Sequence, residues 1–133
     1  LIINEGEARL LSRQSNLTRA YHAIASMGPK NVVIKKGSHG ALLFTPSSVF
    51  AAPAYLLETV TDPTGAGDCF AGGFAGYLSQ VGQASEDELR RAVVYGSVMA
   101  SFNVEGFSLD RLRTLDRHQI EDRFTAFKQM TRF

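Results

Sequence analysis

Short apolar runs in the first part of the chain predict strands. The opening run LIIN is typical of a buried strand. Two β-rich runs, Val32–Lys35 and Ala41–Thr45, flank a turn that contains glycine, which predicts a hairpin. The segments SVFAAPAY and LLETVT predict two further short extended pieces.

Helical spacing of apolar residues predicts two helices in the first part and three after Gly65. EGEARLLS and NLTRAYHAIASMG are the early ones, the second ending at Gly28 and Pro29. The later three are GAGDCFAGGFAGYLSQVG, SEDELRRAVVYGSVMASFNVE and DRHQIEDRFTAFKQM. Ser85 and Glu88 have the spacing of a capping box. The positions predicted to face a core are Leu89, Ala92, Val93, Gly96, Ala100, Ile120, Phe124 and Phe127. Strands combined with helices indicate a layered α/β fold.

Composition narrows the classes of function. The 133 residues suit one domain, and 44% of them are hydrophobic, enough for a core. The 14 basic residues nearly balance the 13 acidic ones, so charge gives no reason to expect nucleic acid or a membrane as partner. One cysteine, Cys69, fits a reducing compartment, and we expect a cytoplasmic protein. The start at LIIN, without Met, leads us to expect the C-terminal part of a longer protein.

The segment TDPTGAGD has the composition of an anion site. The first N–H groups of a helix lack partners within the helix and carry the positive end of its dipole. Amides of Gly65, Ala66 and Gly67 at such a position can hold an anion, and glycine allows close approach.

Asp68 decides which chemistry this anion site favours. A Walker loop has Lys followed by Ser or Thr after its last glycine, and a dinucleotide fingerprint has a third glycine where Phe70 stands, so neither pattern is present. A carboxylate would repel a phosphate in the ground state, but it can accept a proton from an attacking hydroxyl. The pair of features therefore indicates phosphoryl transfer, with Asp68 as the base and the amides stabilising the transferred group. The alternative is an ordinary helix start, with Asp62 or Thr64 as the N-cap.

The string DPTGAGDCFAGGF resembles the C-terminal signature of the ribokinase-like, or PfkB-type, family of carbohydrate and nucleoside kinases. The resemblance implies an α/β fold, a three-layer α/β/α sandwich, of which residues 1–133 would be the C-terminal nucleotide-binding and catalytic portion. The lid and the N-terminal half of the family would lie outside this chain. By the same resemblance, Asp68 is the catalytic base and Gly65, Ala66 and Gly67 form the anion hole.

The resemblance implies further binding residues. NEGEARLL is similar to the family's Asn-x-x-Glu motif, so Asn4 and Glu7 would organise Mg²⁺, mainly through water. VVIKKGSHGALLF resembles the strand, turn and strand that lie along the nucleotide. The other residues implied to approach the nucleotide are Lys35, Gly37, Ser38, Gly40, Asp62, Thr64, Ser101 and Asn103, with Asp62 also near a monovalent cation such as K⁺.

Several of these residues have a structural alternative. Asn4 and Glu7 have the spacing of a capping box, and Lys35 with Lys36 can be a solvated strand end. His22, His39 and His118 are expected at the surface. Gly72, Gly73 and Gly76 are costly inside a helix, which predicts close packing of that helix. Cys69 is expected to be buried, and the alternative is a thiol whose pKa the helix N-terminus lowers.

The sequence thus predicts an ATP-dependent kinase that uses Mg²⁺ and acts on a hydroxyl of a sugar or nucleoside. The expected partner is that small molecule, with neither nucleic acid nor membrane, and a homodimer of the full-length protein is left open. The alternatives are a nucleotide- or phosphate-binding module without catalysis, an inactive fragment, and a purely structural helix start.

Overall fold

A four-stranded sheet organises the first of two units in this computed structural model, which describes residues 1–132. The units are Leu1–Pro53 and Ala54–Phe133. The strands are β1 (Ile2–Asn4), β2 (Val32–Lys35), β3 (Ala41–Phe44) and β4 (Val49–Ala52), in that order across the sheet. β1 pairs with β2 in parallel, and the other two pairs are antiparallel. The predicted opening strand and hairpin are confirmed.

Two helices connect the parallel strands, as a crossover between parallel strands requires. They are α1 (Glu5–Ser12) and α2 (Leu17–Ala25). Their apolar faces meet the sheet in a core, in which Tyr21 stacks on Phe44 with ring centroids 5.0 Å apart. The buried members of this core are Ala8, Tyr21, Ile24, Val32, Ile34 and Phe44.

α2 ends earlier than the sequence predicts. Its C-cap is Ser26, and the N–H groups of Met27 and Gly28 donate to the carbonyls of Ile24 and Ala25, three residues back. This tightened last turn, together with the positive φ of 134° at Gly28, stops the helix before Pro29.

Glycines shape the turn between β2 and β3. Gly37–His39 form one 3₁₀ turn, and the N–H of Lys36 donates to the Gly40 carbonyl at 2.7 Å. Gly37 and Gly40 have φ values of 57° and 86°, which favour glycine.

One predicted extended piece is a strand and the other is not. β4 lies within SVFAAPAY, as predicted. The prediction for LLETVT was wrong, because residues 56–61 are irregular. Their backbone has no neighbouring strand to pair with, and of these residues Thr61 alone is tied by its N–H, to the Val104 carbonyl.

The second unit is helical. It contains α3 (Ala66–Val81), α4 (Glu86–Asn103), α5 (Asp110–Arg113) and α6 (Arg117–Met130). The three long helices were predicted, and α5 was not. Among the positions predicted to face a core, Leu89, Ala92, Val93, Gly96 and Phe127 are buried, while Ala100, Ile120 and Phe124 are half-buried.

Glycines allow α3 and α4 to approach closely. A Cβ on Gly73 would lie 2.8 Å from the Tyr95 carbonyl oxygen, and one on Gly96 would lie 2.8 Å from that of Phe70. The predicted packing role is therefore confirmed for Gly73. It is wrong for Gly72 and Gly76, where an added Cβ would meet nothing within 4 Å among the described residues.

Aromatic rings join α4 to its neighbours. Tyr95 stacks on Tyr77 of α3 and on Phe124 of α6, with centroids 4.5 and 4.4 Å away. The Glu88 N–H donates to the Ser85 hydroxyl, so Ser85 is the N-cap of α4. The predicted capping box is incomplete, because the Glu88 carboxylate accepts from the Tyr77 hydroxyl and not from the Ser85 N–H. Within residues 1–132, no helix combines the length and apolar character needed to cross a bilayer.

Candidate active site

The glycine loop, residues 61–68, is tied to the end of α4. The N–H groups of Thr61 and Asp62 donate to the Val104 carbonyl at 2.7 and 3.4 Å. The Thr61 hydroxyl donates to the Glu105 carbonyl at 3.0 Å. These bonds fix where the loop begins, 44 residues from Glu105 in sequence.

Asp62 turns the chain towards α3. Its Oδ1 accepts from the Thr64 N–H at 2.9 Å, which forms a local side-chain turn. The bond from the Thr64 backbone, followed by that from its side chain, lowers the pKa of Asp62. The N-cap of α3 is Gly65, with φ at 82°, so the alternative in which Asp62 or Thr64 caps the helix is wrong.

The three amides of the predicted anion hole are not equivalent. The Ala66 N–H donates to the Pro63 carbonyl at 3.2 Å, and is thereby engaged. The N–H groups of Gly65, Gly67 and Asp68 have no hydrogen-bond acceptor within residues 1–132. The amides open to an anion are those of Gly65 and Gly67, joined by that of Asp68, which the sequence analysis did not include.

The Asp68 side chain is exposed in the first turn of α3. Its carboxylate makes no hydrogen bond or ion pair with another described residue, so it is available to accept a proton from a bound hydroxyl. The open amides lie in the same turn. The site can therefore combine a base with hydrogen-bond donors for developing negative charge.

Asn103 and Cys69 stabilise the loop. The Asn103 Nδ2 donates to the Thr64 carbonyl at 2.8 Å, and its Oδ1 accepts from the Cys69 Sγ at 3.2 Å. Cys69 is half-buried, and burial, followed by the charge of Asp68, raises its thiol pKa. The alternative of a thiol with a lowered pKa is therefore wrong.

Ser101 belongs to a polar cluster between α4 and α6. Its hydroxyl donates to the Val98 carbonyl at 2.7 Å and accepts from Arg123 at 3.0 Å. Arg123 also pairs with Glu105 at 2.6 Å and lies 3.5 Å from the centroid of Phe102. Neither Arg123 nor Glu105 was predicted from the sequence. An arginine among the apolar positions of an amphipathic helix was the one available signal.

In the first unit, Asn4 and Glu7 form a complete capping box. The Asn4 Oδ1 accepts from the Glu7 N–H at 2.8 Å, and the Glu7 Oε2 accepts from the Asn4 N–H at 2.7 Å. The structural alternative is thus confirmed for this pair. Both residues are exposed, and each side-chain oxygen keeps a free lone pair for water or a metal-bound ligand.

The other predicted residues of the first unit gather in the turn after β2. Lys35 and Gly40 are half-buried there, whereas Gly37 and Ser38 are exposed. His39 is exposed too, and so are His22 and His118, as predicted. The candidate residues therefore fall into two sets, one in each compact unit.

Magnesium is the metal that the donor set suits. Within residues 1–132 no group of three His, Cys, Asp or Glu side chains could enclose an ion. Mg²⁺ is usually held by one or two carboxylates together with water and substrate phosphates, and not by an all-protein cage. Carboxylate and amide oxygens at Glu7 and Asn4 fit that mode of binding.

A family model for the pfkB family carbohydrate kinases matches residues 1–111. The chain belongs to the pfkB family. The match includes β1, the hairpin, the glycine loop and α4.

Relatives and solved structures agree with the family. Cytidine kinase of Thermococcus kodakarensis is 41% identical over 76 residues, which are 56% of this chain and 27% of that protein. Aminoimidazole riboside kinase from Salmonella enterica, solved with aminoimidazole riboside and an ATP analogue, has a TM-score of 0.81 at 27% identity. The match covers 92% of this chain and 41% of that one. A double mutant of fructokinase from Vibrio cholerae O395, bound to fructose, ADP and potassium ion, has a TM-score of 0.82 at 25% identity and covers 92% and 39%.

The likeness confirms the fold class predicted from the sequence: the chain has part of the ribokinase-like α/β fold. It spans about a quarter to a third of the length of the curated relatives it matches. These relatives are kinases of sugars and nucleosides.

Proposed function

We propose that the protein containing this chain transfers the γ-phosphoryl group of ATP to a hydroxyl group of a sugar or nucleoside. The observation that carries this proposal is the exposed Asp68 beside the open amides of Gly65 and Gly67, on a loop anchored to α4. Membership of the pfkB family, with its sugar and nucleoside kinases, supports the same reaction.

In this mechanism Asp68 accepts the proton of the acceptor hydroxyl as the hydroxyl oxygen attacks the γ-phosphorus of ATP, while the bond from that phosphorus to the β,γ-bridging oxygen breaks and ADP leaves. The N–H groups of Gly65 and Gly67 donate to the oxygens of the transferring group, whose negative charge is spread over three positions. The helix dipole of α3 adds to this stabilisation. Ala66 contributes through the shape of the turn, since its N–H is bonded to Pro63.

We assign the remaining candidate site residues to binding of the nucleotide and the cations. Asn4 and Glu7 would hold water around Mg²⁺, and a bound Mg²⁺ would shield the charge of the phosphates. Asp62 and Thr64 would approach a monovalent cation such as K⁺. The turn containing Lys35, Gly37, Ser38 and Gly40 would border the nucleotide. Contact of Ser101 and Asn103 with adenine stays a prediction, and the polar atoms of both side chains are bonded within the chain.

In this proposal, residues 1–133 form the nucleotide-binding and catalytic portion of a larger kinase domain. The small-molecule acceptor would then be bound with help from the rest of that domain. A free thiol at Cys69 agrees with the cytoplasmic location expected from the sequence.

The test is Asp68→Asn in the intact protein. We expect kcat to fall by about 10² to 10⁴-fold, because the amide cannot accept the proton, while an ATP analogue still binds. Asp87→Asn is the matched control, since Asp87 is also an acid in the first turn of a helix, α4. A variant at Asp68 that keeps most of its kcat would contradict the proposal.

A nucleotide-binding module without turnover is the second candidate, and the short span of the chain relative to its relatives favours it for this polypeptide by itself. Calorimetric titration with Mg²⁺ and a non-hydrolysable ATP analogue separates the cases. Binding that Gly67→Val abolishes, without turnover in the intact protein, would support this second candidate.

A further inference from the structure

Asn103 is the last residue of α4, and only 2% of its surface is exposed. Both ends of its carboxamide are bonded: Nδ2 to the Thr64 carbonyl and Oδ1 to the Cys69 thiol. Thr64 comes just before the segment from Gly65 to Asp68, and Cys69 comes just after it. One buried side chain therefore holds the catalytic segment at both of its ends.

The bond to Thr64 fixes a peptide plane. The Thr64 carbonyl and the Gly65 N–H belong to the same planar peptide group, and no peptide bond of the described residues is cis. In a trans peptide the C=O and N–H point in opposite directions. Because Asn103 holds the carbonyl, the Gly65 N–H is directed to the opposite side, away from Asn103. A flip of this peptide would turn that N–H away from its anion-binding direction.

The thiol of Cys69 sets the orientation of the Asn103 carboxamide. A thiol can donate a proton to Oδ1, and burial raises the pKa of Cys69, so the proton is retained at neutral pH. If the carboxamide rotated by a half-turn, Oδ1 would face the Thr64 carbonyl with no proton between the two oxygens. Gly65 packs against the same group, since a Cβ on it would lie 3.6 and 3.7 Å from Oδ1 and Nδ2.

We propose that Asn103 is a positioning residue that locks the peptide between Thr64 and Gly65, so that the Gly65 N–H faces the transferring phosphoryl group. The inference rests on the proposed function and adds a residue to it. Asn103 touches no reacting atom and acts through Thr64 and Gly65. A nearly isosteric change that removes only the Nδ2 donor should therefore lower kcat.

Asn103→Asp in the intact protein tests whether the hydrogen bond from Asn103 Nδ2 to the Thr64 carbonyl is needed for activity. An ionised carboxylate cannot donate to the Thr64 carbonyl, whereas a protonated one can, and burial favours the protonated form. With ATP and whichever of fructose, cytidine or aminoimidazole riboside the wild type phosphorylates, we expect kcat at pH 8 to fall about 10²-fold. The acceptor KM should stay the same. The ratio of variant to wild-type kcat should rise as pH is lowered.

Two further comparisons separate positioning from stability. Tyr95→Phe removes the bonds from α4 to Glu121 and should lower the melting temperature but leave kcat unchanged. Cys69→Ala removes the proton that orients the carboxamide and should lower kcat, and Cys69→Ser, which restores a donor, should recover it. If Asn103→Asp does not fold, these cysteine variants decide whether Asn103 is a positioning residue.

The outcomes distinguish this inference from the proposed function. Wild-type kcat at pH 8 in both Asn103→Asp and Cys69→Ala overturns the positioning role alone, and so does a loss in Asn103→Asp whose ratio to wild type is the same at every pH. Equal kcat in Cys69→Ala and wild type also counts against it. If the wild-type protein phosphorylates no sugar or nucleoside with ATP, the proposed function and this inference fail together.

Discussion

The Cα of Gly73 in α3 faces the backbone carbonyl of Tyr95 in α4 so closely that an added Cβ would lie 2.8 Å from its oxygen. It would also lie 2.7 Å from the Met99 Cγ. Real Cβ atoms do not approach this closely, and the backbone oxygen cannot move without shifting α4. The two helices can lie this close together because glycine has no side chain at position 73.

Gly73→Ala is expected to destabilise the protein by about 1 to 3 kcal/mol, as overpacking of a close contact does. Gly72→Ala, one position earlier, is the matched control, because a Cβ there meets nothing within 4 Å among the described residues. That variant should be neutral or more stable by up to about 1 kcal/mol, the helix preference of Ala over Gly. Urea unfolding of both variants measures the difference. Equal stabilities would show that α3 and α4 do not pack as described.

Tyr95 should titrate at unusually high pH. Burial, followed by its hydrogen bond to Glu121, raises its pKa to about 12 from 10.0. The folded state therefore favours the protonated phenol, and this contribution to stability is fully present below pH 10. It is lost as the pH rises from 10 towards 12.

The ultraviolet absorbance of phenolate follows this titration, and Tyr95→Phe identifies the signal. Unfolding measured at pH 9, 10 and 11 should show a steeper loss of stability for wild type than for Tyr95→Phe. The same slope in both proteins would contradict the raised pKa.

Replacing Arg123 should destabilise the protein more than replacing an exposed arginine. Its side chain is 15% exposed, pairs with Glu105 at 2.6 Å and also bonds Ser101. Arg123→Met keeps much of the apolar stem and removes the charge, leaving Glu105 with a weaker partner. We expect a loss of about 1.5 to 3 kcal/mol, the range for hydrogen bonds to charged groups.

Arg9→Met is the control, because its pair with Glu5 is on the surface, with the arginine side chain 51% exposed. An exposed pair is worth about 0 to 1 kcal/mol. Thermal unfolding compares the two variants. If both lose the same amount, the cluster around Glu105 does not anchor α6.

The sequence by itself determined most of the local elements. Apolar periodicity and caps placed β1, α1, the β2–β3 hairpin and the start of α3 at Gly65, because strands, helices and turns depend on residues close in the chain. The motif around Asp68 indicated the pfkB family, which the match to residues 1–111 confirms. The catalytic and binding roles assigned to single residues stay predictions.

Only the tertiary structure decided which of these residues face one another. Helical spacing could not tell Gly73, which touches α4, from Gly72 and Gly76, which do not. Nor could it show that the Ala66 amide is bonded to Pro63, or that Asn103 reaches Thr64 across 39 residues. Such contacts depend on how whole helices pack, and packing brings together groups whose separation in sequence carries no periodic signal.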